Sequence, residues 1–180
     1  MKALLISIFL FGGSVIVCTV TPKTLIIGDS LIGSGSGLAK ELTVHYDDAV
    51  LVTKKGSSPR TWVKNGWLSK VQAENNPDVL IVVLGTNSLR TPPKVLRKHV
   101  QDFLEQVTAD KCYWIGPPNL VEGGSRVVKA LPSMFRDTCK YYDTSKKIVF
   151  PPKSVRGFHI TRWKGKTWGT AFLTWVSSQQ

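Results

Sequence analysis

The sequence is poor in the residues that most often bind transition metals. Its 180 residues include three cysteines and three histidines, and the histidines do not have the spacing of a metal site. The two cysteines beyond the amino-terminal region, Cys112 and Cys139, are too few for a structural zinc site with the usual four ligands. These residues therefore predict no metal site.

Acidic residues are also scarce. The chain has 12 Asp and Glu residues against 24 Lys and Arg residues, a formal net charge of +12. This charge suits an anionic partner, but the basic residues are scattered, with no long run and no nucleic-acid motif. We therefore expect no nucleic-acid binding, and an anionic polymer of the cell envelope stays open as a partner.

One uncharged stretch stands apart at the amino terminus. Residues 3–20 carry no charge and follow Lys2, the pattern of a secretory signal. The stretch is also about as long as a membrane-spanning helix, although two glycines interrupt it, and Cys18 leaves a lipid-anchored form open. We expect residues 1–21 to be a signal peptide or membrane anchor. Residues 22–180 would then form the exported domain, in the periplasm or outside the cell.

Export would place the remaining cysteines in an oxidising compartment. Removal of the leader leaves only Cys112 and Cys139. An even pair in that setting favours one disulfide bond, and two buried free thiols are the alternative.

Short apolar runs alternate with segments of helical spacing. This alternation predicts a parallel sheet with helices on both faces, and no repeat or linker divides it into two domains. The pattern does not give the order of the strands in space. The predicted strands are residues 24–28, 49–53, 79–84, 112–116 and 148–150, and the predicted helices are residues 38–44, 60–74, 94–107, 126–141 and 162–176. The helix at 126–141 is expected to break or bend near Pro132.

Residues with catalytic chemistry lie in the loops after these strands or before the last helix. Ser30, Gly56 and Asn87 follow the first three strands, and His159 precedes the last helix. In an open parallel sheet such loops can reach one edge. There Ser30 could attack a carbonyl carbon, with His159 taking its proton. The N–H groups of Ser30 and Gly56, with the Asn87 amide, could bind the resulting oxyanion. The alternative for Asp29 and Ser30 is an ordinary helix cap.

Four blocks of sequence resemble one enzyme family. Residues 27–31, Ile-Gly-Asp-Ser-Leu, look like the first block of the GDSL, or SGNH, hydrolases, and residues 83–87 are similar to their G-x-N block. Gly56 matches the position of the family's oxyanion-hole glycine, and residues 157–159 resemble the end of its D-G-x-H block. The resemblance covers about residues 24–176, with the blocks in the family's order.

The resemblance implies a three-layer α/β/α fold with a five-stranded parallel sheet, of the flavodoxin-like kind. It implies ester hydrolysis through an acyl-enzyme on Ser30, with His159 as the base and an oxyanion hole made by Ser30, Gly56 and Asn87. It also implies that the reaction uses no metal and no organic cofactor. We expect the substrate to carry O-acyl or O-acetyl groups on a cell-envelope or surface carbohydrate. A lysophospholipase or short-chain lipase is the alternative, and we expect a monomer.

The chain departs from the family pattern at two positions. The family's orienting aspartate falls three residues before the histidine, where this chain has Arg156, and Ser88 replaces an aspartate that often follows the Asn. A guanidinium disfavours a protonated histidine. A backbone carbonyl could orient His159 in a Ser–His dyad, or a carboxylate such as Asp143 could substitute. The third reading is a non-catalytic carbohydrate- or envelope-binding protein disarmed at Arg156. We favour the dyad, because the other four site residues are retained.

The remaining candidates have structural explanations. His45 and His99 are interpreted as surface or hydrogen-bonded residues. Trp62 and Trp67 have the spacing of core residues, although their position after the Gly56 loop leaves a role in a pocket open. Asp29 is expected to position the Ser30 turn through hydrogen bonds.

Overall fold

The structure is a computed structural model. For the strands at 10–11, 14–15, 155–156 and 159–160, and for residues 162–164, it describes the backbone only. The other described residues are 21–33, 35–119, 126–135, 137–148 and 165–179. Within these residues, no helix combines the length and the hydropathy needed to cross a membrane.

Five parallel strands form the central sheet. In their order across the sheet they are β4 (Val50–Thr53), β3 (Thr24–Gly28), β5 (Val79–Val83), β6 (Lys111–Ile115) and β7 (Lys140–Tyr142). Because helices cover both faces, the inner strands are continuous apolar runs rather than alternating ones. The order is flavodoxin-like: the first strand of the sheet, β3, lies between the second and the third. The predicted five-stranded parallel sheet is thus confirmed.

Two small antiparallel pairs lie outside the sheet. One joins β1 (Leu10–Phe11) to β2 (Ser14–Val15), within the predicted leader. The other joins β8 (Val155–Arg156) to β9 (His159–Ile160), just before the last helix.

The helices form a layer on each face of the sheet. On one face, apolar side chains of α1 (Gly37–His45) and α7 (Arg162–Ser177) pack against Ile26 and Ile81. On the other face, Ile27 and Val82 pack against apolar side chains of α2 (Pro59–Lys64), α3 (Trp67–Asn75), α4 (Pro93–Leu104) and α5 (Arg126–Ala130). This is the predicted three-layer α/β/α arrangement. A further short helix, α6 (Thr144–Lys147), follows β7.

Two predictions about the carboxyl-terminal third are wrong. The fifth strand is Lys140–Tyr142, which pairs with β6, whereas Ile148 only caps α6 and residues 149–150 lie outside the described residues. The predicted helix 126–141 breaks near Pro132 as expected: α5 ends at Ala130, because Pro132 cannot donate a helical hydrogen bond, and a 3-10 turn, Leu131–Met134, follows. Its second half is wrong, because Lys140 begins a strand.

The predicted helix at residues 60–74 is two helices. Gly66 adopts φ 65° and separates α2 from α3. This left-handed conformation strains other residues, so the glycine allows the chain to change direction here.

The predicted disulfide between Cys112 and Cys139 is present in the structure. Cys112 lies in β6 and Cys139 directly precedes β7, with their Cα atoms 4.4 Å apart. Both cysteines are buried. The bond joins the last two strands where both begin.

Candidate active site

Ser30 lies in a tight turn at the carboxyl end of β3. Gly28 ends the strand, and a Cβ there would lie 2.6 Å from the Val83 carbonyl oxygen, so glycine is needed for the close approach of β3 to β5. The Asp29 N–H donates to the Val83 carbonyl at 3.3 Å, and Asp29 Oδ1 accepts from the Leu31 N–H at 2.9 Å. Ser30 therefore begins a 3-10 helix, Ser30–Ile32, that Asp29 caps as expected.

Asn87 connects this turn to the loop after β4. Its Nδ2 donates to Asp29 Oδ2 at 2.9 Å and to the Ser57 carbonyl oxygen at 2.9 Å. An amide nitrogen carries two hydrogens, so both already have acceptors. To donate to an oxyanion, Asn87 would have to release one of these bonds.

The carboxyl group of Asp29 is completely buried. Burial raises its pKa to about 6, against the opposing effect of the hydrogen bonds from the Leu31 N–H and the Asn87 amide. The group that holds Asn87 is thus ionised at neutral pH and protonated in mild acid. When it is protonated, one of its oxygens becomes a donor and its hydrogen bonds must rearrange.

Gly56 lies in the turn between β4 and α2. Its φ is 72°, a region suited to glycine, and the position where a Cβ would stand has no atom within 4 Å. The Ser57 N–H closes the turn on the Lys54 carbonyl at 3.0 Å. The N–H groups of Gly56 and Ser30 have no hydrogen-bond acceptor among the described residues. Two main-chain donors are thus left for a ligand at this edge.

Trp62 supports the Gly56 loop from inside the molecule. It is completely buried, and its Nε1 donates to Ser57 Oγ at 2.9 Å. Trp67 lies edge-to-face against it with 5.9 Å between ring centroids, and the Lys54 ammonium stands 5.3 Å from the centre of the Trp67 ring. Trp62 is therefore a core residue rather than a pocket wall.

The short strand that contains His159 comes close to the Ser30 turn. In the hairpin of β8 and β9, His159 pairs with Arg156, and Cα atoms of β9 lie within 8 Å of Cα atoms of Ser30–Ile32. Residues 157–158 and the side chains of Arg156 and His159 lie outside the described residues. The strand that contains His159 thus lies near the turn that begins with Ser30, at the level of the backbone.

Asp143, the alternative carboxylate, follows β7 at the same edge of the sheet. Its Oδ1 accepts from Ser145 Oγ at 2.6 Å, and its Oδ2 lies 3.4 Å from the Lys146 ammonium. Both oxygens therefore already have local partners.

Ser57 is the site residue that the sequence reasoning missed. Its carbonyl accepts from Asn87, and its buried hydroxyl accepts from Trp62, so it connects the Gly56 loop both to the site and to the core. Ser58 caps α2 and Pro59 begins it, so the sequence places Ser57 just before a helix. Nothing in the sequence indicates that Ser57 is buried.

The other candidates have ordinary surroundings. His45 packs against the ring of Tyr46, and His99 is half-buried on α4. Ser88 is buried at the carboxyl edge. Among the described residues, no three His, Cys, Asp or Glu side chains are grouped as metal ligands would be.

No protein-family model matches the sequence, and no curated protein does. Solved structures do resemble it. The psychrotrophic esterase EstA from Pseudoalteromonas sp. has a TM-score of 0.65 at 18% identity, over 88% of this chain and 98% of that one. A Clostridium thermocellum family 3 carbohydrate esterase has a TM-score of 0.67 at 14% identity, over 85% and 94%.

AlinE4, described as an SGNH-hydrolase family esterase, has a TM-score of 0.58 at 19% identity, over 90% of this chain and 98% of that one. Identities this low carry the fold and not the activity. With the strand order and the two helical layers, they show that this chain has the three-layer α/β/α fold of the SGNH hydrolases.

Proposed function

We propose that the chain is a serine esterase that acts through an acyl-enzyme on Ser30. The observation that carries this proposal is the pair of unsatisfied N–H groups, of Ser30 and Gly56, at the edge where the Ser30 turn meets the Asn87 loop. Unpaired main-chain donors beside a serine are what an acyl-transfer site requires. The fold shared with solved esterases supports the same conclusion.

The reaction follows from these groups. Ser30 Oγ attacks the ester carbonyl carbon while His159 takes the hydroxyl proton, and the carbonyl oxygen becomes an oxyanion. The Ser30 and Gly56 N–H groups stabilise that charge, and Asn87 adds a third donor when it releases its bond to Ser57. The intermediate collapses to the acyl-enzyme, and His159 returns the proton to the leaving alcohol. Water then releases the acid by the same steps.

The substrate we propose is an acyl group on a carbohydrate. One of the structures reported above is named a carbohydrate esterase, which supports this class. Export is part of the proposal, supported by the uncharged leader and by the Cys112–Cys139 disulfide, because such bonds persist mainly in oxidising compartments.

The test is hydrolysis of p-nitrophenyl acetate by the purified protein and by two variants, Ser30→Ala and His159→Ala. Each variant should lose about 1000-fold or more in kcat/KM, as expected for groups that act as one unit. Ser178→Ala and His45→Ala are matched controls at exposed positions and should keep full activity. An organophosphonate ester should add one phosphonyl group to Ser30, read by mass spectrometry.

The rival function is ligand binding without catalysis, and Arg156 is the observation that favours it. Arg156→Asp restores the family's carboxylate and separates the two. For a dyad enzyme, the variant should raise a measurable kcat. If the wild type is inert, is not labelled by the phosphonate, and gains turnover only with Arg156→Asp, then the natural protein is not an esterase.

A further inference from the structure

Two segments that build the candidate site are uniformly basic. Residues 49–73 carry five Lys and Arg and no Asp or Glu, and residues 79–101 carry four and none. The first segment includes the Gly56 loop and α2, and the second includes the Asn87 loop and most of α4. The segments that contain the Gly56 and Asn87 loops therefore carry only positive charge, although acidic residues occur elsewhere in the chain.

Helices α2 and α4 lie side by side and leave a cleft of about 280 Å³ between them. The surface of the cleft is mostly apolar, and basic side chains stand on both of its walls. Its one carboxylate, that of Asp102, is bonded to the Lys98 ammonium at 2.9 Å. Arg60 and Lys64, on the opposite wall, have no ion-pair partner in the described part of the chain. Its lining residues are Arg60, Val63, Lys64, Lys98, His99 and Asp102.

One wall of the cleft follows the candidate site closely in sequence. Arg60 is three residues after Ser57, whose carbonyl holds Asn87. Helix α2, which carries Arg60 and Lys64, starts at Pro59, directly after the loop that contains Gly56 and Ser57. A chain-like ligand with an ester at Ser30 could continue into the cleft.

We propose that the α2–α4 cleft binds the anionic groups of an acidic polysaccharide and thereby presents an ester of that polymer to Ser30. The assignment rests on the proposed esterase function and narrows its substrate class. Two basic side chains without carboxylate partners, facing a third across a cleft, match regularly spaced anions. A neutral glycan would leave those charges uncompensated.

His99 provides a reporter inside the cleft. Burial lowers its pKa, as do the nearby charges of Arg60 and Lys98, while Asp102 acts in the opposite direction. An anion bound between Arg60 and His99 would offset the basic charges. The pKa of His99, followed by nuclear magnetic resonance, should therefore rise when the polymer binds.

The experiment measures binding of four probes by the full protein: polygalacturonate, dextran sulfate, neutral dextran and a single-stranded DNA oligonucleotide. We expect polygalacturonate to bind, neutral dextran not to bind, and the affinity to fall as salt is added. Dextran sulfate distinguishes a preference for carboxylate from a general preference for anionic sugars. Tighter binding of the DNA than of either acidic glycan would overturn the proposal.

Charge reversal tests the location. Arg60→Glu with Lys64→Glu should weaken polygalacturonate binding about tenfold or more, and Arg60→Gln with Lys64→Gln should weaken it less. The matched control, Lys40→Glu with Lys147→Glu, makes the same change of net charge at exposed positions outside the cleft. Equal weakening by the control would overturn the cleft, as would an unchanged His99 pKa at saturating polymer.

Binding is measured without turnover, so the two proposals fail separately. A wild type that binds polygalacturonate through the cleft but is inert in the ester assay overturns the esterase and leaves the anion site standing. A wild type that hydrolyses p-nitrophenyl acetate but ignores both acidic glycans overturns the anion site alone.

Discussion

The two edges of the sheet treat their polar groups differently. At the amino edge the groups are paired: the Lys23 N–H donates to Asp78 Oδ2 at 2.8 Å, and the disulfide joins the starts of β6 and β7. At the carboxyl edge, Thr86 Oγ1 and the Tyr141 hydroxyl are buried without a hydrogen-bond partner among the described residues. Within the described part of the chain, the N–H groups of Ser30 and Gly56 at this edge also have no acceptor.

Two buried polar side chains show what this difference means. Gln72, near the amino edge, accepts from the Thr108 N–H at 2.9 Å and donates to the Gln106 carbonyl at 2.7 Å. It is a neutral amide with both ends satisfied, which favours stability alone. Asp29, at the carboxyl edge, is a buried carboxyl group whose pKa is raised to about 6. The side chain of Gln72 is satisfied at the amino edge, whereas the buried Asp29 carboxyl group costs stability at the carboxyl edge when it is ionised.

Removal of the disulfide should have the largest effect on stability. The bond spans 27 residues of sequence, and closing a loop of that length in the unfolded chain is worth about 3 to 4 kcal/mol. Cys112→Ala with Cys139→Ala should lower the free energy of unfolding by that amount in denaturant titrations.

The same variant should leave kcat/KM for p-nitrophenyl acetate unchanged at a temperature where it remains folded, because the bond lies at the opposite edge from Ser30. Wild type treated with a reductant is the control for the cavity that the alanines leave. A loss of activity that exceeds the loss of folded protein would contradict the separation of the two edges.

Asp29 should affect stability in the direction opposite to the disulfide bond, because its ionised form lowers the free energy of unfolding. Its pKa is raised from 3.8 to about 6 by folding, so its protonated form favours the folded state. This contribution is complete below pH 3.8 and is lost as the pH rises through about 6, which amounts to about 3 kcal/mol. In Asp29→Asn this dependence should disappear, and the difference in unfolding free energy from wild type should change by about 3 kcal/mol over that range.

The catalytic activity of Asp29→Asn should fall, although this variant no longer loses stability as the pH rises. An asparagine at position 29 replaces one of the two accepting oxygens by an NH2 group, which faces either the Asn87 amide or the Leu31 N–H. Two donors meet in either orientation, so the contact that positions Asn87 or the Ser30 turn is lost. We expect kcat/KM to fall about 100-fold, the usual effect of one lost oxyanion donor. Asp47→Asn, at an exposed carboxylate, is the control for charge. If Asp29→Asn kept full activity, Asn87 would need no positioning by Asp29.

The sequence predicts the part of this architecture that local patterns encode. The run at 79–84 and the Gly-Asp-Ser turn are read correctly because burial on both faces of a parallel strand leaves an unbroken apolar run. The fifth strand, Lys140–Tyr142, could not be read. It is three residues long and forms by pairing with β6, a tertiary contact that overrides its weak local signal.

The site shows the same division. Its residues can be picked out from their positions after strands, but their pairing depends on distant segments. Asn87 is bonded to Asp29, 58 residues away, and to the loop at Ser57, 30 residues away. Nothing local in either segment gives that geometry, so the use of both Asn87 hydrogens could not be predicted.

Gln72 should give the smallest effect and tests the amino edge most directly. Gln72→Leu leaves the Gln106 carbonyl and the Thr108 N–H without their side-chain partner, which should cost about 2 kcal/mol of unfolding free energy. Ser69→Ala, an exposed position on α3 whose hydroxyl reaches the Gln106 side chain, should cost less than about 0.5 kcal/mol. Both variants should keep the wild-type kcat/KM for p-nitrophenyl acetate, because Gln72 touches no group of the candidate site. If Gln72→Leu lowered kcat as strongly as Asp29→Asn does, the site would depend on the whole sheet rather than on the carboxyl edge.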